Sequence, residues 1–260
     1  MHCRINRQRL WANRMLLESY CHERNCFVTL TYSDENLPAG GNLVPKHFSD
    51  WLKRFRKDIF PITVRYYGVG EYGERTQRPH YHAALFGVDQ MFEDRILKTW
   101  NMGHVHVGDI TLHSTSYIAS YITKSMTRGD DARLCGRHPE FARMSLKPGI
   151  GALAVADLAK AFTSKYGSLA VSRNGDIPDT IGTGRKQMPL GRYLKERLRN
   201  EVGLDEGWQE IPKARYLAEM QVMQDDYGKA LFQVAKPYVD WAKIDSRESN
   251  ARRFKKVKPL

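Results

Sequence analysis

Glu71-Tyr-Gly-Glu-Arg-Thr-Gln-Arg-Pro-His80-Tyr-His82-Ala-Ala-Leu-Phe86 reads as two short strands joined by a polar loop. Side chains alternate faces along an extended chain, so His80, His82, Ala84 and Phe86 share one face while Tyr81, Ala83 and Leu85 share the other. Two imidazoles at i and i+2, about 6–7 Å apart on one strand face, can close on a single divalent metal. The small side chain of Ala84 leaves room beside them. If strands 64–72 and 79–87 pair as a hairpin, Glu71 returns beside the histidines as a third, carboxylate ligand. A bare His-x-His can equally decorate an exposed sheet face, and a segment some forty residues on weighs against that blander reading.

That segment, 114–128, contains Tyr117-Ile-Ala-Ser-Tyr121-Ile-Thr-Lys124 and reads as a helix, with serines and a threonine as N-caps and Gly129 as the stop. At 100° per residue, Ile118, Ile122, Met126 and Ala119 gather on one side. Tyr117, Tyr121 and Lys124 fall within about 60° of one another on the opposite side. Core tyrosines would sit on the apolar stripe. These two are expected to be presented to a site or to solvent.

The remaining chain alternates strands and helices. Residues 4–24 read as a basic amphipathic helix whose charged face is either solvated or laid on a DNA backbone. Residues 26–32 read as a central strand, and a helix from Pro45 carries Phe48, Trp51, Leu52, Phe55 and Ile59 at three- and four-residue spacing. A helix near 90–100 precedes a strand at 103–110, which carries a second His-x-His pair, His104 and His106. That pair ranks behind the first because no carboxylate-bearing neighbour strand is apparent for it. Beyond a turn at Lys147–Gly151 the expectation is a helix at 153–166, a short strand at 168–173, a loop at 176–188, helices at 190–201 and 212–235, and a basic tail at 252–258. The fold class expected is α+β, with residues 1–150 as the main domain and 151–260 as a mainly helical extension.

At 260 residues, 42% hydrophobic and 27% charged, the composition is that of an ordinary globular protein. No apolar run approaches the roughly 18–20 residues needed to span a bilayer, and no signal-peptide pattern opens the chain. Four cysteines without a C-x-x-C pair read as free thiols of a reducing cytoplasm. The formal charge of +12 favours a polyanionic partner, nucleic acid first. Arg78, Lys53, Arg54 and Arg128 are the candidate nucleic-acid contacts. A metal site and a paired-tyrosine helix on a basic chain point to phosphodiester transesterification, with a phenol of ordinary pKa about 10 as a nucleophile that needs its oxyanion stabilised.

These residues resemble the HUH endonuclease superfamily, and specifically the replication initiators of small single-stranded DNA phages, the microviruses of gokushovirus type. Phe27-Val-Thr-Leu-Thr-Tyr-Ser-Asp-Glu-Asn-Leu-Pro38 is similar to that family's first motif. Gly70-Glu-Tyr-Gly73 with Arg78-Pro-His-Tyr-His-Ala83 is similar to its metal-binding motif, and Tyr117-x-x-x-Tyr121-x-x-Lys124 to that of two-tyrosine initiators. Met144–Gly151 and Arg185–Tyr193 look like segments that follow the nuclease core.

The resemblance implies an antiparallel sheet of about five strands flanked by helices, with the histidines on a central strand. It implies Tyr117 and Tyr121 as nucleophiles and Lys124 as a phosphate contact. His80, His82 and Glu71 (or, less favoured, Glu74 in the loop) would be ligands of Mg²⁺ or Mn²⁺. The expected partners are single-stranded DNA at a phage origin and, since no P-loop is present, a host helicase, in the cytoplasm of a bacterial host. Oligomeric state is not legible. Three competing functions are a non-enzymatic basic single-stranded DNA-binding protein, a single-tyrosine transposase or relaxase, and a hydrolytic metallonuclease.

Overall fold

Strand alternation is plain in β1 (Asn25–Tyr32): Cys26, Val28, Leu30 and Tyr32 are buried, and the residues between them are only partly so. The even positions enter one apolar layer and the odd positions turn to the opposite face. The computed structural model describes residues 2–121, 129–183 and 186–204. Within them β1 joins β2 (Arg65–Tyr72), β3 (Pro79–Phe86), β4 (Gly103–Gly108) and β5 (Phe141–Met144) in an antiparallel sheet of order β4-β1-β3-β2-β5. The fold is α+β, and β3, which carries His80 and His82, is the middle strand.

One face of the sheet is covered by α2 (Pro45–Asp58) and α3 (Glu93–Trp100). Phe48, Trp51, Phe55, Ile96 and Trp100 pack there against the even positions of β1 and against Tyr81, Ala83 and Leu85. A Cβ at Gly68 would lie 2.3 Å from the Phe48 ring, so the bare backbone of β2 is what lets α2 settle this close. The other face carries α1 (His2–Tyr20) and α4 (Leu112–Tyr121), where Ala12, Met15, Ile118 and Ala119 meet Tyr67, Val69, Ala84 and Phe86.

The first helix differs from its expected solvated or DNA-facing role. Residues 12–18 are buried without a break, because α1 is covered on two sides. One side faces the sheet and α4. Against the other lie α5 (Val155–Thr163), α6 (Lys165–Asn174), a hairpin of β6 (Thr180–Thr183) and β7 (Lys186–Pro189), and α7 (Gly191–Val202), with Leu17 in one cluster with Leu190, Leu194 and Leu198. Arg14 is taken inward by aromatic rings: its guanidinium lies 4.3 Å from the Trp11 ring and 4.5 Å from the Tyr193 ring, and its Nε donates to the Ile150 carbonyl at 2.8 Å. Burial pushes its pKa down from the usual value.

Two further expectations are corrected. The segment 168–173 is helical, inside α6, because Ser164 caps that helix by accepting from the Gly167 amide and Gly175 ends it in a left-handed conformation. Two caps outweigh a short apolar run. The expected loop at 176–188 contains β6 and β7. The expected helix at 212–235 and the basic tail at 252–258 lie outside the described residues. Among the described side chains Cys21, Cys26 and Cys135 are free thiols, and no described helix is long and apolar enough to cross a membrane.

Glu18 fastens these parts together. Its side chain is fully buried, accepts from Arg65 of β2, and accepts from the Gly151 amide at 2.6 Å. Removing one member of a buried ion pair strands the other. Glu18→Ala is therefore expected to lower the unfolding free energy by about 3 kcal/mol, read from urea unfolding followed by circular dichroism. A loss under about 1 kcal/mol would show that the pair behaves as a surface contact.

Candidate active site

Register turns strand alternation into two polar rows. Glu71 stands opposite His80, His80 opposite Thr31, and Thr31 opposite His104. The next row runs Val69, His82, Thr29, His106. Directly opposed residues share a face, and this is the face on which α1 and α4 lie.

Each central imidazole is held from β1. Thr31 Oγ1 is 3.1 Å from His80 Nδ1, and Thr29 Oγ1 is 3.0 Å from His82 Nδ1. Both rings thus direct Nε2 away from β1, and His82 Nε2 lies 3.1 Å from Glu71 Oε1. Glu71 and His82 are almost fully buried. Burial, then the neighbouring His82, pushes the His80 pKa down, against the opposing pull of Glu71. Gly73 borders His80 closely: a Cβ there would come within 3.2 Å of His80 Nε2, so a glycine keeps that nitrogen uncovered.

The tyrosines of α4 close over these rings. Tyr121 stacks on His82 with centroids 5.2 Å apart and planes 5° from parallel. Tyr117 meets His82 edge-on at 5.3 Å and Tyr121 edge-on at 4.9 Å. Presentation away from the core holds for Tyr117, which is 42% exposed, but Tyr121 is only 3% exposed. The helix face read as polar is turned to the histidines of the sheet, so a side chain there can be buried without joining the apolar stripe. Burial, then hydrogen bonding with Tyr117 and the charge and hydrogen bond of Glu71, pushes the Tyr121 pKa well above the ordinary phenol value. A cleft of about 690 Å³ is lined by Thr29, Thr31, Glu71, His80, His82, Tyr117 and Tyr121, with Glu74, Arg75 and Thr76 from the β2–β3 loop and His113 from α4.

Other candidates lie elsewhere. Arg78 donates to Asp34 Oδ1 and to the Tyr32 carbonyl, each at 2.7 Å, and so braces the hairpin loop against the end of β1. Lys53 and Arg54 belong to α2 on the opposite face of the sheet, and Arg54 Nε donates to the Thr99 carbonyl at 3.0 Å. His104 and His106 are exposed on β4, where the adjoining β1 offers Thr31 and Thr29 but no carboxylate. Lys124 and Arg128 lie outside the described residues. Sequence reasoning missed Thr29, Thr31 and Phe27, whose ring stacks 5.8 Å from His82. Their signal was the odd-position face of β1, which becomes readable once β1 is known to pair with β3.

Two imidazole nitrogens and a carboxylate on adjoining strands suit a divalent ion of borderline hardness, and hydroxyls fixing the far ring nitrogens are the usual support for such ligands. Glu71 is engaged directly with His82 here, and among the described residues no three His, Cys, Asp or Glu side chains stand closed on a common point. The donor types fit a metal, and Gly73 leaves the His80 donor open to it.

With this geometry in place, resemblance to known proteins becomes informative. The family model for replication-associated protein ORF2 matches residues 25–126. The chain is 29% identical over 240 residues to the replication-associated protein ORF2 of Spiroplasma virus 4, covering 84% of this chain and 69% of that protein. It is 28% identical over 249 residues to the replication-associated protein VP4 of Bdellovibrio phage phiMH2K, covering 86% and 74%. Over 152 residues it is 28% identical to the replication-associated protein ORF4 of Chlamydia phage 1, covering 50% and 38%. No solved structure matches. Through residues 25–126, which hold four of the five strands and both tyrosines, the chain belongs to the replication-associated protein ORF2 family.

Proposed function

We propose that this chain is the replication initiator of a small single-stranded DNA phage and that it nicks the origin strand by tyrosine transesterification, as an HUH-type nuclease. The observation that carries the reading is the packing of both tyrosine rings of α4 directly on His82, in a cleft shared with His80 and Glu71. The replication-associated names of the relatives support the biological role.

In this reading His80, His82 and Glu71 hold a Mg²⁺ or Mn²⁺ ion, which when bound draws charge from a non-bridging phosphate oxygen. The hydroxyl oxygen of a tyrosine attacks the phosphorus and loses its proton. The bond from phosphorus to the 3′ oxygen breaks, and that oxygen leaves with a proton as a free 3′-OH. The 5′ phosphate stays on the tyrosine, so one phosphodiester is exchanged for another and the strand can be rejoined by the reverse attack. Tyr117, on the open side of the cleft, meets an entering strand first. Tyr121 is held back by its bonds to Tyr117 and Glu71 and is the reserve nucleophile for the second cleavage that releases a closed circle. Lys124 is assigned to the phosphate on its motif position alone. Unwinding is left to a host helicase.

Incubation with Mn²⁺ and origin single-stranded DNA should give a covalent adduct on a denaturing gel, abolished by chelation, by His80→Ala and by the double change Tyr117→Phe/Tyr121→Phe. Cleavage that survives loss of both tyrosines would sink the transesterification mechanism in favour of water attack. Thr29→Val and Thr31→Val leave the ligands in place but release the imidazoles. They are expected to weaken Mn²⁺ binding roughly 10- to 100-fold, measured by titration calorimetry.

The tyrosines should also differ in stability. Tyr121→Phe should cost about 1 kcal/mol, the worth of a typical buried hydrogen bond. Tyr117→Phe should fall within about 0.5 kcal/mol of the wild type, as an exposed change does. Equal costs in denaturant titrations would contradict the unequal burial.

A further inference from the structure

Far from the cleft, the other end of β2 opens a groove of about 760 Å³. From Glu71 to Tyr66 is five residues, so the groove starts about 17 Å from the histidines at the strand rise. Its walls hold three of the most conspicuous apolar side chains on the surface: Phe60 is 83% exposed, Leu146 75% and Ile62 40%. Its cations are Arg56, Arg65 and Lys147, and no carboxylate lines it. Two of these cations are structural. Arg65 is tied to the buried Glu18 and to the Pro148 carbonyl at 2.7 Å, and Arg56 donates to the Val64 carbonyl at 2.6 Å while lying 5.3 Å over the Tyr66 ring. Lys147 is exposed and makes no ion pair among the described residues, and exposed Lys57 ends α2 beside Arg56.

We infer that this groove is a second binding surface for single-stranded DNA, distinct from the nicking cleft, with bases stacked on Phe60 and the phosphate track on Lys147 and Lys57. The composition selects this occupant. Three apolar side chains fall far short of the roughly 1,000 Å² that a specific protein interface needs. A base needs a single exposed ring, because every base has a π face. A lining with cations and no carboxylate complements a polyanion, and the chain as a whole carries +12. An acidic, apolar peptide is the competing occupant. The groove would hold the origin strand away from the scissile phosphate, so that a long strand is bound at two points and a short one at the cleft alone. The inference rests on the reading that DNA is the substrate, but not on the nicking chemistry.

The test uses the full chain with fluorescein-labelled oligothymidylates of about 8 and about 30 nucleotides, lengths that bracket known single-strand site sizes. Phe60→Ala should weaken binding of the long oligomer about fivefold or more, the loss expected for one stacked base, while Phe60→Trp restores it. Lys147→Glu should lower the salt dependence of long-strand affinity by about one phosphate contact. Nicking of a short origin oligomer by Phe60→Ala should match the wild type. Unchanged long-strand affinity in Phe60→Ala overturns the inference. So does an acidic phenylalanine-containing peptide whose binding needs Phe60 while DNA binding does not. If instead no covalent adduct ever forms but long-strand affinity depends on Phe60, the nicking proposal fails and the groove stands.

Discussion

The structure depends on a polar row set into the middle of a sheet. His82 and Glu71 are almost fully buried and 3.1 Å apart, and a buried polar or charged group costs several kcal/mol unless its bonds are met. They are met from two directions. Thr29 and Thr31 on β1 take the far nitrogens of the imidazoles, and Tyr121 on α4 covers His82 and bonds Glu71. None of these contacts survives a slip of one residue in the pairing of β1 with β3, since a slip would turn threonines and histidines to opposite faces. Register, hydrogen bonding and helix position are therefore one constraint, and the candidate chemistry occupies the place where they coincide.

That constraint explains what was legible in the sequence. The hairpin and its alternation were readable because Glu71–Phe86 is short and locally paired, so the opposition of Glu71 and His80 followed from strand length alone. The role of Thr29 and Thr31 was not, because it depends on β1 crossing to the far side of β3, a pairing of residues about fifty apart in sequence. The two tyrosines were placed on the correct helix face, but the burial of Tyr121 was not foreseen. Helical periodicity says which residues are neighbours and is silent on whether the face they share meets water or another polar surface. β5 was not located because Phe141–Met144 is only four residues long at a sheet edge.

The first helix shows the same limit in reverse. Its arginines suggested an outer surface, yet Arg14 lies between two aromatic rings with its polar edge on a carbonyl. Charge counts cannot anticipate this, because a guanidinium can be desolvated when flat rings and carbonyl acceptors are supplied by remote segments. Glu18 and Arg65 extend the principle. A carboxylate near the N-terminus, a guanidinium on β2 and an amide at Gly151 satisfy one another at a point where α1, the sheet and the segment leading to α5 meet. The helix against which α4 and its tyrosines pack is thus held by groups from across the chain.

Unequal burial of Tyr117 and Tyr121 bears on why two tyrosines stand four apart. A spacing of four places both rings over one point of the sheet, and the edge-on contact at 4.9 Å shows that they share it. Two side chains cannot occupy a single position, so one must be inner and one outer. The inner ring gains its place by stacking on His82 and bonding Glu71, and those same bonds keep its hydroxyl protonated. The outer ring has no such restraint and faces the cleft. A strand bound to the outer tyrosine leaves the inner one beneath it, already oriented against the same imidazole. Exchange between the two then requires the inner hydroxyl to part from Glu71 and Tyr117, a change of hydrogen-bond partners and not of helix position. Sequential use of two nucleophiles at one phosphate-binding point is what this packing is suited to provide.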